Sequence, residues 1–255
     1  MPPLSAVLIT RDEEERLPDA LASVAFCDEI VVVDGGSVDG TCDIAAAAGA
    51  RVIVNTPWPG YAAQRNLAVA AARYDWVLCL DADERVTPAL QQEIQAVRAA
   101  GFSDCDGYRM PRVAFYLGRW IRGTDWYPDR QLRLFDRRRG RWQDLLIHES
   151  VRVEGRVGRL QGELEHYTYR DVSHHLRAID QYTTLWAQQA HAEGRRAGAV
   201  SALVHGVLAF GRNYLLRGGV LLGGPGLVVS TLNAHYTFVK MAKLRELGQS
   251  AAPPA

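Results

Sequence analysis

The chain has 255 residues, 48% hydrophobic and 23% charged, with 29 Lys and Arg balanced by 29 Asp and Glu. That length suits one large domain or one domain with an appendage, and the apolar content excludes a disordered chain. Four cysteines without a Cys-x-x-Cys pair, and an N-terminus without a charged-then-apolar pattern, lead us to expect a reduced, cytoplasmic chain rather than a disulfide-stapled secreted one.

Ala6-Val7-Leu8-Ile9 reads as a buried strand, and the acids Asp12 to Glu15 are expected in the first turn of the following helix, at the positive end of its dipole. Ile30 to Val33 is a second buried strand ending at Asp34. The turn Gly35-Gly36-Ser37-Val38-Asp39-Gly40 leads into an alanine-rich helix that stops at Gly49. Arg51 to Val54 and Trp76 to Leu80 are further strands, separated by a helix over Ala62 to Ala72. Thr87-Pro88 opens another helix, with threonine as its cap and proline in its first turn. Strands alternating with helices predict a mostly parallel sheet covered by helices, an α/β fold of Rossmann-like character. Right-handed crossovers then bring the strand-end loops to one rim, which Asp34 and Asp81 share.

Trp76 to Leu80 runs straight into Asp81-Ala82-Asp83-Glu84. In an extended chain Asp81 and Asp83 lean the same way, and two close carboxylates call for a cation or donor between them. Their hard oxygens suit Mg²⁺ or Mn²⁺. A solvated acidic turn is the plain alternative.

Beyond residue 106 the character changes. Residues 1–106 carry 17 acids and 7 bases, whereas residues 109–141 carry 10 arginines and 3 acids. The second region therefore suits an anionic partner, unless it is simply a solvated basic loop. Nucleic acid is not expected, because no helix-turn-helix, zinc or aromatic RNA-binding motif accompanies the arginines. Short strands are expected at Gly107–Pro111, Gln131–Phe135 and Val151–Val153. Helices follow over Asp171–Glu193, about 200–217 and about Leu227–Leu247. Residues 218–239 lack any charged side chain, but five glycines and a proline interrupt them, so no membrane span is expected. Residues 200–247 carry five bases against Glu246 alone. That balance fits helices lying on an anionic membrane surface, and equally a hairpin packed on the core or on a second subunit.

These motifs together resemble the family 2 inverting glycosyltransferases of GT-A fold. Ile9 to Glu14 is similar to that family's opening strand and Asn-Glu-Glu turn. Val33 to Thr41 resembles its Val-Asp-Asp-Gly-Ser-x-Asp-Gly-Thr signature, Gln64-Arg65-Asn66 its Arg-Asn motif, and Leu80 to Asp83 its Asp-x-Asp motif. Asp12 stands where the family has Asn, and Gly35 where it has a second Asp. Tyr127 to Phe135, Ile147-His148-Glu149, His166-Tyr167 and Tyr214 to Gly219 resemble the subgroup that glucosylates the lipopolysaccharide inner core.

The resemblance implies a GT-A domain over residues 1–170, with a donor half to about 106 and an acceptor half over 107–170. Residues 171–250 form a C-terminal helical appendage, for membrane or oligomer contact. It implies transfer of a sugar, glucose from UDP-glucose, to a hydroxyl of an anionic glycolipid at the cytoplasmic face of the inner membrane. Other acceptors, polyprenyl-linked or protein, and an inactive nucleotide-sugar-binding protein are the alternatives. Thr10, Glu13, Asp34, Gly36, Arg65 and Asp81 are the implied nucleotide-sugar contacts. Asp83 is the implied metal ligand, with Asp81 on ribose or a metal-bound water and His166 as a further ligand or a structural histidine. Glu149 is the candidate base, with Asp129 second, and Arg130 and Arg133 are candidates for acceptor binding. Asp39 is expected to cap a helix.

Overall fold

The computed structural model describes residues 1–143 and 150–249. They pack as two units, the first made of Met1–Arg112 with Asp129–His166 and the second of Val113–Pro128 with the chain from Tyr167 onward. Residues 113–128, expected in an acceptor-facing half, thus pack with the C-terminal helices.

In the first unit four strands run parallel: β1 (Leu4–Thr10), β2 (Glu29–Asp34), β3 (Arg51–Val54) and β4 (Trp76–Asp81), in the spatial order β3-β2-β1-β4. Antiparallel additions extend the sheet. β8 (Asp129–Asp136) pairs with β4, and β6 (Gly107–Tyr116) with β8, while β12 (Leu164–His166) returns beside β5 (Glu84–Val86). The helices α1 (Leu17–Ser23), α2 (Thr41–Ala47), α3 (Tyr61–Ala71) and α4 (Pro88–Ala99) fill the crossovers. Alternation inside β1 and β4 explains the sheet's double burial. Leu4, Ala6, Leu8, Leu78 and Leu80 point into one apolar cluster, and Val7, Ile9, Val77 and Cys79 into the other.

One local expectation changes near the N-terminus. The acids Asp12 to Glu15 precede α1 rather than occupying its first turn, because Asp12 takes φ +53° and the helix starts at Leu17, with Pro18 in its first turn. They bind the next loop instead. Asp12 accepts from the Val38 amide at 2.9 Å and Glu14 from the Gly40 amide at 2.8 Å.

The second unit holds β7 (Arg119–Ile121), paired with the end of β6, and three long helices: α5 (Val172–Ala192), α6 (Ala199–Gly211) and α7 (Gly223–Gln249). Asp171 caps α5, accepting from the His174 amide at 2.6 Å. α7 begins before the Leu227 expected, since Pro225 falls in its first turn, where an amide hydrogen is not needed. A wide turn over Arg212–Leu216 and a short 3₁₀ turn over Gly219–Leu222 join α6 to α7.

Candidate active site

The parallel strands set the rim. Thr10 pairs with Asp34 across β1 and β2, and Ile9 pairs with Asp81 across β1 and β4, so both acids lie at the carboxyl end of one sheet.

Asp34 is buried and gives its oxygens to its own loop. It accepts from the Gly36 amide at 2.8 Å, the Ser37 amide at 2.7 Å, the Ser37 hydroxyl and the Thr10 hydroxyl at 3.0 Å. Burial pushes this carboxyl up, but the bonds from Ser37, Thr10 and Gly36 outweigh it and hold the group below the usual carboxylate range. Thr10, Asp34 and Gly36, the expected nucleotide contacts, are thus tied to one another in one loop at the rim. Glu13 is half-buried, and its amide donates to the Thr41 hydroxyl at 2.8 Å. Asp39 accepts from the Thr41 amide at 3.0 Å, but Gly40 holds the cap position of α2, so Asp39 braces the helix start from one residue outside the cap.

Gly35, where the family carries an acid, has a physical reason. A Cβ there would lie 2.3 Å from Cε3 of Trp58, so the indole occupies the space of the missing side chain. Gly36 has φ +88°, which disfavours any other residue.

Among the described residues Asp81 and Asp83 have different ion-pair partners. The chain leaves β4 at Asp81 and turns at Ala82–Asp83, so the extended geometry in which both would face one way is lost. Asp81 Oδ1 accepts from Arg65 Nη2 at 2.7 Å and Nε at 3.2 Å, and Oδ2 from Arg133 Nη2 at 2.9 Å. Burial pushes the Asp81 carboxyl up, yet Arg65 and Arg133 overcome this and hold it well below the usual range. Its neutralising charges in this structure are the guanidinium groups of Arg65 and Arg133. Arg65 is likewise committed to Asp81, with its guanidinium carbon 4.6 Å from the centre of the Trp142 ring.

The paired charges continue inward. Arg133 is 3% exposed and also donates to Glu84 Oε1 at 2.6 Å. Glu84, fully buried, accepts from Arg112 Nη1 at 3.0 Å, and Arg112 clamps Asp129 Oδ2 through Nε at 2.9 Å and Nη2 at 2.7 Å. Asp129 Oδ1 accepts from Gln131 at 2.7 Å. One expectation falls here, since Arg133 is too deep to meet an acceptor. Asp129 is half-buried, with Arg112 on one oxygen and Gln131 on the other. Arg130, beside it, is exposed. Sequence reasoning gave no role to Glu84 or Arg112. Their signal was the third acid after the strand and an arginine on the facing strand, since Arg112 pairs with Asp129 in register.

Asp83 turns the other way. Its Oδ2 lies 3.3 Å from His166 Nε2 and 3.5 Å from Arg16 Nη1. Strand pairing brings the histidine there, because β12 sets His166 opposite Glu84 on β5. A carboxylate and an imidazole are both ligand types that a divalent ion accepts, and Arg16 faces the same Asp83 oxygen. Among the described residues no cluster of three or more acid, cysteine or histidine side chains forms a fuller metal centre. Glu149, with its neighbour His148, lies outside the described residues.

Mostly parallel α/β sheets with loop-borne acids along the C-terminal rim are the architecture of nucleotide-binding proteins, and the antiparallel additions over β4 make this one a GT-A fold. The chain belongs to glycosyl transferase family 2, whose model matches residues 5–152. It is 31% identical to the lipopolysaccharide core biosynthesis glycosyltransferase LpsC of Rhizobium meliloti, over 99% of this chain and 95% of that protein. It is 29% identical to an uncharacterized glycosyltransferase of Rickettsia typhi, over 97% of this chain and 88% of the other. A mycobacterial protein of known structure shares the fold at 18% identity, with a TM-score of 0.50 over 74% of each chain.

Proposed function

We propose that this transferase moves glucose from UDP-glucose, with inversion, onto a hydroxyl of a lipopolysaccharide inner-core or similar lipid-linked glycan. The observation that carries the donor side is the Asp83–His166 pair at the rim, 3.3 Å apart. Full-length similarity to LpsC supports the acceptor class.

In this reading Asp83 and His166 would hold Mg²⁺ or Mn²⁺ at the donor site. The ion, when bound, neutralises charge gathering on the leaving group. Arg65 and Arg133 fix the Asp81 carboxylate in its ionised form, leaving its outward lone pairs to accept from a ribose hydroxyl. Glu149 takes the proton of the acceptor hydroxyl as that oxygen bonds the anomeric carbon and the diphosphate departs. Arg130, exposed beside the Asp129–Arg112 pair, meets the acceptor's carboxylates or phosphates.

The test offers a panel of nucleotide-sugars with defined truncated lipopolysaccharide acceptors and reads products by mass, with Mn²⁺ or with a chelator. A single added hexose from UDP-glucose, dependent on the metal, is expected. Asp83→Ala should slow transfer at least about a hundredfold, because several kcal/mol of leaving-group stabilisation is lost. Glu149→Gln should bind UDP-glucose as the wild type does and transfer slowly. Full turnover by Asp83→Ala, or no hexose added to any acceptor, refutes the reading.

A further inference from the structure

α6 is inside out. Its inward positions are the small residues Ala202, Gly206 and Ala209, and α7 approaches so closely that a Cβ on Gly206 would lie 3.3 Å from Phe238 Cβ. Its outward positions are large and aliphatic: Val200, Leu203, Val204, Val207 and Leu208 are 46–76% exposed. A helix in water buries its large apolar side chains and turns polar ones outward. The apolar surface continues past the helix into the α6–α7 connection, where Leu215, Leu216 and Leu221 are 65%, 82% and 80% exposed. So extended an exposed patch marks a docking surface.

Charge identifies the occupant. From Gly194 through Arg245 the sequence has seven Arg and Lys and no Asp or Glu. Arg212 and Arg217 flank the leucine tip. In the same unit Arg119 donates to the Leu222 carbonyl at 3.3 Å, and Arg122 follows β7. The acid among them is Asp125, paired with Arg212 and lying 3.9 Å from Arg217. Two copies of this face would set net positive charge against net positive charge, because a two-fold interface repeats the same patch on both sides. An anionic bilayer offers both chemistries, hydrocarbon for the leucines and phosphate for the excess of four arginines over Asp125.

Length decides how the element lies. The stretch Ala199–Leu216 is apolar enough in composition to cross a membrane. Its regular part, α6, has 13 residues, about 20 Å against the roughly 30 Å of a hydrocarbon core. The chain then widens into the Arg212–Leu216 turn, where buried Asn213 accepts from the Asp125 amide at 2.8 Å.

We infer that the outer face of α6 and the Leu215–Leu221 tip form an in-plane anchor that inserts into the surface of an anionic lipid bilayer. The inference does not rest on the proposed transfer reaction. The full chain is sedimented with vesicles of phosphatidylcholine alone and of phosphatidylcholine mixed with phosphatidylglycerol. Binding to the anionic vesicles should exceed binding to the neutral ones at least about tenfold and weaken in high salt. Leu216→Asp with Leu221→Asp, both at exposed positions, should lower anionic-vesicle binding at least about tenfold while the circular dichroism and melting curve stay those of the wild type. Equal pelleting of variant and wild type overturns the anchor. So does a wild-type dimer in vesicle-free solution that the double substitution turns into monomer, which would make the face a subunit contact.

Discussion

Replacing Arg133 by methionine separates a structural role for this side chain from a substrate-binding one. The guanidinium is 3% exposed and bridges Asp81 at 2.9 Å and Glu84 at 2.6 Å. Methionine keeps much of the stem's volume beside Trp142 but leaves Glu84 buried with less compensating charge. Breaking a buried ion pair by removing one partner costs about 3–5 kcal/mol. Glu84 retains Arg112 at 3.0 Å and the Asp81 amide at 3.1 Å, and Asp81 retains Arg65, so the low end, about 3 kcal/mol, is expected. With a urea dependence near 3 kcal/mol per molar, the unfolding midpoint should fall by about 1 M. Adding Glu84→Gln removes the stranded charge and should recover part of that loss. The pH dependence has a definite sign. Although burial raises the Asp81 carboxyl, Arg65 and Arg133 hold it well below its unfolded value, so its stabilisation is complete above about pH 4 and is lost as the pH falls below that. The wild type should therefore lose more stability than Arg133→Met on acidification. Were Arg133 an acceptor contact instead, the midpoint would stay within about 0.2 M of wild type and only the KM for acceptor would rise. That result would refute the buried-network account.

Two further predictions test packing and protonation. Gly35→Asp, which restores the acid usual in the family, should cost about 1–3 kcal/mol, because its Cβ would meet the Trp58 ring at 2.3 Å. Trp58→Ala in the same chain should relieve that cost, and strictly additive unfolding energies for the pair would rule out the collision. His175 is buried in the second unit, stacked on Tyr169 with ring centres 4.1 Å apart and with Nδ1 3.2 Å from the Tyr116 hydroxyl. Burial, with a smaller contribution from His174, lowers its pKa from 6.5 to about 4. The unfolded chain thus takes up this proton first as pH falls. Stability should rise by about 3 kcal/mol between pH 4 and 6.5, and His175→Phe should flatten that slope in urea titrations across the range. An unchanged slope in the variant would assign the pH dependence to other groups.

The residues themselves determined the parallel core and the rim. Strands buried on both faces read as unbroken apolar runs, and an acid at the end of such a run has few places to go but the edge of the sheet. Asp34 and Asp81 were legible for that reason, as was the family, whose motifs lie in order along the first ninety residues. Partnership was not legible. Arg65, Arg112 and Arg133 look alike in a basic stretch, and only the register of β8 against β4 and β6 sends one beneath Asp81 and clamps another on Asp129. His166 reaches Asp83 because β12 pairs with β5 from eighty residues away, a contact that no local pattern encodes. Small and large apolar residues also alternate around α6 without a charged face to orient it. Which face of α6 meets solvent was therefore open until α7 took the small residues and left the leucines outside. Local chemistry names the elements and their acids. Pairing over long distances decides which charge answers which, and which apolar face still needs a partner.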